Sequence, residues 1–203
     1  TAGKIIVISN MIDEELLQQK SGTASPYVSD VTQLVTVGRL SLEKHMENVI
    51  YVAGKLKKAG YHFQWHIIGD GAQRDELEIL REKEKVTDCV FFEGAKRNPY
   101  PYMKYADLYV HPSYVESQGI TILEAMALHL PCVVTISRGP SEFIKDGVNG
   151  LLTEQNPQAL TVGVKHMLED RKLYEHIQSA SVCPERFRTV EVMKKIYELF
   201  GQI

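Results

Sequence analysis

Short apolar runs alternate along this chain with longer segments in which apolar residues recur every three or four positions. Residues 4–8, 33–37, 64–68, 89–92, 107–110, 132–135 and 149–152 are runs of strand length. Several are continuously apolar rather than alternating, as in strands buried on both faces. Between them the period lengthens. Residues 43–59 place Met46, Val49, Ile50, Ala53 and Leu56 on one helical face, closed by Gly60. Residues 74–85 read as a charged helix with Leu77 and Leu80 inward, and 100–105 and 120–128 as shorter helices. Leu160, Val164, Met167 and Leu168 mark another helix, 171–181 a continuation, and Val190, Met193, Ile196, Tyr197 and Phe200 a terminal one at about 189–201. Residues 18–30, polar with Ser, Gly, Thr and Pro26, read as a loop. Strand and helix alternating at this spacing predict an α/β, three-layer domain with a mostly parallel sheet.

The polar punctuation falls just after the strands: Gly38-Arg39, Gly69-Asp70-Gly71, Gly94, and the stretch from Glu116 to Gly119. In open parallel sheets ligands bind at the carboxyl edge, so these groups are expected to share one cleft. The stretch from His111 to Ala127 organises it. An apolar strand ends in a Pro-broken polar loop, Gly119 follows, and a helix begins at Ile120. The first turn of a helix carries free N–H groups and partial positive charge, which suits a phosphate. Glu116 and Glu124 flank that turn, placed to read hydroxyls on either side of a phosphate or simply to be solvated. Arg39 at a strand end and Lys44 at the expected start of a helix suggest an anion clamp, because a cation there opposes the helix dipole. The alternative is a pair of solvated cations. His111 reads either as a cleft residue or as a structural one, and Tyr100, Tyr102 and Tyr105 as packing residues, one of which could line a base pocket.

Bulk properties narrow the choices. The 203 residues are 44% hydrophobic and 24% charged, within the globular range, and suffice for one domain. A net charge of −3 argues against a nucleic-acid binder. Cys89, Cys132 and Cys183 show no CxxC pairing and are read as reduced thiols of a cytosolic protein. No cluster of Asp suggests a magnesium site, so no metal or other cofactor is expected. No apolar run reaches bilayer length and no signal peptide is visible. The chain opens without Met, as a piece cut from a longer protein would. Gly69-Asp70-Gly71 lacks the third glycine of a dinucleotide fingerprint and reads as a tight turn. A carboxylate pair also suggests glycoside hydrolysis, but nearby cations would keep both acids ionised, which suits hydroxyl recognition instead.

These residues resemble the C-terminal, donor-binding domain of retaining family 4 glycosyltransferases of GT-B fold, with a Rossmann-like core. Glu116 and Glu124 meet the Glu, seven residues, Glu pattern. The segment from Val37 to Lys44, Ile68-Gly69-Asp70-Gly71 with Arg74, Pro112-Ser113, Glu124-Ala125-Met126-Ala127, and the segment from Asp146 to Leu152 follow in the family's order. The resemblance implies that Arg39 and Lys44 hold the donor diphosphate, that the backbone of Gly119, Ile120 and Thr121 assists, and that Glu116 binds sugar hydroxyls and Glu124 the ribose. Gly38, Gly69, Ser117 and Gln118 would complete the donor site, and the loop Gly94-Ala95-Lys96-Arg97 would lie by the nucleobase. Arg39, Lys44 and Glu116 are the expected catalytic residues. The implied substrate is a nucleotide-sugar donor, a UDP-sugar by preference, used without metal for retaining hexosyl transfer to a glycan or lipid-linked acceptor in cell-envelope or polysaccharide biosynthesis. The acceptor half would be an N-terminal domain outside this chain, leaving the piece itself with little turnover, in the cytoplasm or peripheral to the inner face of the membrane. An epimerase on the same plan and a non-catalytic module are the alternatives. Two departures stand out: His45 and His129 replace family glycines, and His129 is expected to need an unusual helix-end conformation, which His tolerates better than most non-glycine residues.

Overall fold

A computed structural model describes residues 7–28 and 30–201. Six parallel strands form one sheet in the order β3-β2-β1-β4-β5-β6. They are β1 (Thr32–Val37), β2 (Phe63–Ile68), β3 (Val90–Gly94), β4 (Leu108–His111), β5 (Cys132–Thr135) and β6 (Leu151–Thr153). This is the order of a doubly wound sheet, whose direction of winding reverses between β1 and β4. The Rossmann-like reading of the fold is therefore correct. Beside the strands run α1 (Glu14–Ser21), α2 (Glu47–Lys58), α3 (Arg74–Lys83), α4 (Tyr100–Lys104), α5 (Ile120–Ala127), α6 (Pro157–Glu169), α7 (Arg171–Ala180) and α8 (Thr189–Phe200).

The sheet separates two cores. Leu34, Trp65 and Val90 pack on one face with Val49, Ile50 and Ala53 of α2 and Leu160 and Val164 of α6. Val35, Tyr109 and Val134 pack on the other with Ile122, Leu123 and Met126 of α5 and Leu17 of α1. Successive strand residues point to opposite faces, so a strand serving both cores is mostly apolar, and a buried polar residue such as Thr36 is hydrogen-bonded. The one buried indole is also satisfied, since Trp65 Nε1 donates to Thr36 Oγ1 at 3.0 Å and that hydroxyl donates on to Val110 O at 2.8 Å.

Several boundaries differ from the sequence reading. The loop expected over 18–30 begins with the end of α1, which Asp13 caps by accepting from the Leu16 N–H. Only Leu17 of its apolar residues is buried, so its period is faint. The single helix expected over 43–59 is two elements, a 3-10 turn over Leu42–Lys44 and then α2, because His45 adopts φ 48 and breaks the ladder. The helix over 74–85 stops at Lys83, with Lys85 left-handed at φ 59. The last strand starts at Leu151 because Asp146 and Gly150 close a bridge before it. Of the strand expected over 4–8, residues 4–6 lie outside the described residues, and Val7 and Ile8 are not in a strand. His129 has φ 57, as its position predicted.

Candidate functional site

β1 and β4 are neighbours, pairing Leu34 with Leu108 and Val35 with Tyr109. Their carboxyl ends therefore emerge side by side where the winding reverses, the place at which such sheets bind ligands. The loop after β1 carries Arg39 and Lys44, and the loop after β4 carries Glu116 through Gly119. Lys44 Nζ and Glu116 Oε2 lie 2.5 Å apart, with the side chains 21% and 14% exposed. This corrects one step of the sequence reading. Lys44 ends a 3-10 turn instead of starting a helix, and the anion it meets is Glu116.

His111 Nε2 reaches the same oxygen at 3.2 Å. Burial is the main influence on His111 and lowers its pKa despite the carboxylate, so the imidazole is neutral at pH 7. An ionised carboxylate only accepts, so Nε2 must carry the proton, and Nδ1 is left to accept from the Tyr109 hydroxyl at 3.3 Å. Tyr109 Oη is also 2.7 Å from Thr121 Oγ1 in the first turn of α5. A continuous chain of polar contacts thus runs from Lys44 through Glu116, His111 and Tyr109 to the start of the helix. Burial alone would raise the Glu116 carboxyl. The bonds from His111 and Lys44 outweigh it and hold the group down at about 2.

Gly119 is the N-cap of α5, its φ of 77 suits glycine, and a Cβ there would come within 2.9 Å of Ile122 Cδ1. The N–H groups of Ile122 and Leu123 return to Gly119 O. Those of Ile120 and Thr121 have no intrahelical acceptor, as at any helix start, and Ile120 is 43% exposed. One turn on, Glu124 Oε1 accepts from the Tyr100 hydroxyl at 2.9 Å. Burial raises the Glu124 pKa against that bond, and it pushes the Tyr100 phenol up to about 12. The two glutamates therefore live in opposite environments, one held firmly charged and one easier to protonate.

Gly38, Arg39, Gly69 and Lys96 line one cleft of about 260 Å³ at the ends of β1, β2 and β3. Gly69 is obligatory, since its φ is 149 and a Cβ would sit 1.8 Å from Gly38 O. Arg39 is exposed there. Lys96 Nζ is 3.6 Å from Glu93 Oε2, and Gly94 O accepts from the Gly69 N–H. Ser117 O is closely approached by Gly139, and Gln118 exchanges amide contacts of 3.2 and 3.4 Å with the backbone of Asn10. The sequence-predicted residues thus gather at one sheet edge in two groups, a cleft over β1–β3 and a polar cluster over β4–α5. Hollows of about 450 and 480 Å³ along α8, lined by Arg186, Glu191 and Arg188 among others, lie apart from the strand ends. Among the described residues no three His, Cys, Asp or Glu side chains gather as a metal site would require, and no helix is long and apolar enough to cross a membrane.

The sequence admits both a cleft and a structural role for His111, and reads Tyr100 as a packing residue or as part of a base pocket. For His111 the available signal was its place at the end of an apolar strand, five residues before Glu116. For Tyr100 there was none, because its contact with Glu124 depends on how α4 docks.

Residues 23–181 match the family model described as glycosyl transferases group 1. An uncharacterized glycosyltransferase of Methanocaldococcus jannaschii is 35% identical over 188 residues, 85% of this chain and 47% of that protein. Alpha-D-kanosaminyltransferase of Streptomyces kanamyceticus is 33% identical over 153 residues, 73% of this chain and 39% of that protein. The crystal structure of Anabaena HepE in complex with UDP and glucose superposes with a TM-score of 0.84 at 25% identity, covering 98% of this chain and 57% of that one. The chain spans about half the length of the curated relatives it matches, or less.

Proposed function

The chain belongs to the group 1 glycosyl transferases, and from that premise we propose that it is the donor-binding half of such an enzyme, taking a UDP-sugar at the junction of β1 and β4. The observation that carries this reading is the meeting of Lys44 with Glu116 beside the start of α5. Positive charge, a hydroxyl-reading carboxylate and open helix N–H groups converge there. Arg39 and Lys44 would embrace the diphosphate, with the Ile120 and Thr121 N–H groups completing the shell. Glu116 would accept from sugar hydroxyls and Glu124 from the ribose, while Gly94 through Lys96 would border the base. During transfer the bond from sugar C1 to the β-phosphate oxygen breaks and its electron pair leaves on the phosphate. A bond from C1 to the acceptor oxygen forms, and the acceptor's proton passes to the departing phosphate. Fixed cations and helix dipoles that stabilise the leaving group are the means available to these residues, without a metal. We place the transfer in the retaining, hexosyl class and in cell-envelope or polysaccharide assembly. The acceptor site would belong to an N-terminal domain, and the isolated half would turn over little. The HepE complex with UDP and glucose supports a uridine donor.

Titration calorimetry with UDP, GDP and ADP in the presence of EDTA tests the reading. UDP should bind at micromolar to millimolar concentration, and Arg39→Ala should weaken it by about 1.5–3 kcal/mol, the value of a charge-assisted hydrogen bond. Absence of binding by all three nucleotides, or an unchanged affinity in Arg39→Ala, would remove the clamp from the proposal.

A further inference from the structure

His45 follows Lys44 directly and holds a backbone conformation, φ 48 and ψ 44, that glycine adopts freely and a side chain resists. Such strain persists only where surrounding contacts over-determine it. Here the contacts are specific. The His45 ring stacks on the Tyr114 ring with centroids 3.7 Å apart and planes 25° from parallel, and its Nδ1 lies 2.8 Å from Glu47 Oε1. Tyr114 is fixed in turn, since its hydroxyl accepts from Asn48 Nδ2 at 3.1 Å and its carbonyl accepts from Gln155 Nε2 at 2.8 Å. His45 belongs to the loop after β1 and Tyr114 to the loop after β4. The stack therefore ties together the same two loops that Lys44 and Glu116 join, with Ser113 Oγ donating to Glu43 O at 3.0 Å beside it. Lys44 itself sits on three residues of 3-10 turn, a segment too short to hold its own place.

We propose that His45 is a positioning residue for the donor site, whose ring, stacked on Tyr114, sets the Lys44 ammonium against Glu116 and hence where a diphosphate is gripped. The ligand chemistry rests on the functional reading above, whereas the positioning of Lys44 does not. A left-handed His at this turn does work that a glycine cannot: it trades backbone comfort for a lateral contact that fixes the loop.

The test combines a ligand-bound and a ligand-free measurement on the full chain and its variants. UDP affinity is read by calorimetry for His45→Gly, Tyr114→Ala, the double variant and Tyr114→Phe. The Glu116 carboxyl is titrated by carbon NMR without nucleotide, and each melting midpoint is recorded. Each single loss of the stack should weaken UDP about fivefold to tenfold, with the double variant no worse than the singles. Tyr114→Phe, which keeps a ring, should stay within about twofold. The Glu116 titration should rise by about one pH unit in His45→Gly as Lys44 drifts away. His45→Gly should not melt lower in proportion, because glycine relieves the backbone strain. Unchanged UDP affinity together with an unchanged Glu116 titration would overturn the proposal, as would additive losses in the double variant. If the parent chain binds no nucleotide while Glu116 still responds to His45→Gly, the positioning role stands and the donor reading falls.

Discussion

Replacing Lys44 with Met removes the cation from Glu116 while keeping most of the side chain's bulk. The carboxyl is held at about 2 against an ordinary 4.5, a displacement equivalent to about 3 kcal/mol of stability at neutral pH. Both side chains are mostly buried, 21% and 14% exposed, so solvent screening takes only a modest share of this. Two bonds divide it. The bond from His111 and the bond from Lys44 together outweigh burial, and loss of the charge-assisted bond from Lys44 is worth about 2 kcal/mol. The sign follows from the direction of the shift. A carboxyl depressed in the folded chain contributes its stability above the unfolded value, near 4.5, and loses it as pH falls toward 2. The gap between parent and Lys44→Met should therefore stay near 2 kcal/mol from about pH 7 to about pH 5, then shrink by about a third at about pH 3. Urea unfolding at the three pH values, with equal slopes in both proteins, measures it. A gap undiminished at about pH 3 would show that it does not arise from Glu116 ionisation, and one smaller than about 0.5 kcal/mol at pH 7 would show that the pair is a solvated surface contact.

Two further outcomes follow from the same geometry. Gly119→Ala forces a Cβ onto a left-handed residue and against Ile122, so it should cost about 1–2 kcal/mol and lower the melting midpoint by several degrees. An unchanged midpoint would mean that the helix start is not constrained as described. Glu124→Gln keeps an acceptor for Tyr100 but lowers the charge offered to the ribose. Competition binding of UDP against dUDP should show a preference of about tenfold in the parent chain that shrinks in the variant, and an undiminished preference would place the ribose elsewhere.

The strands were legible because each is a short, largely apolar run, several of them without alternation, and that pattern goes with burial on both faces. The positions of Arg39, Gly69, Gly94 and Glu116 at strand ends followed from the same boundaries, as did the glycine at the start of α5. Their gathering at one edge is a consequence of parallel strands. Periodicity carried less information where a helix buries one residue, as in α1, or where a single backbone angle divides a helix, as at His45.

What the sequence determined by itself is thus local: which segments are strands, which are helices, and which polar residues end them. These depend on the spacing of apolar positions and on glycine's freedom at a few angles. The tertiary structure decided what meets what. Lys44 and Glu116 are 72 residues apart and touch because β1 lies beside β4. The neutrality of His111, the bond of Tyr100 to Glu124 and the stack of His45 on Tyr114 likewise arise only in the packed molecule. Strand order and burial set local charge, and neither is written in the periodicity of any one segment.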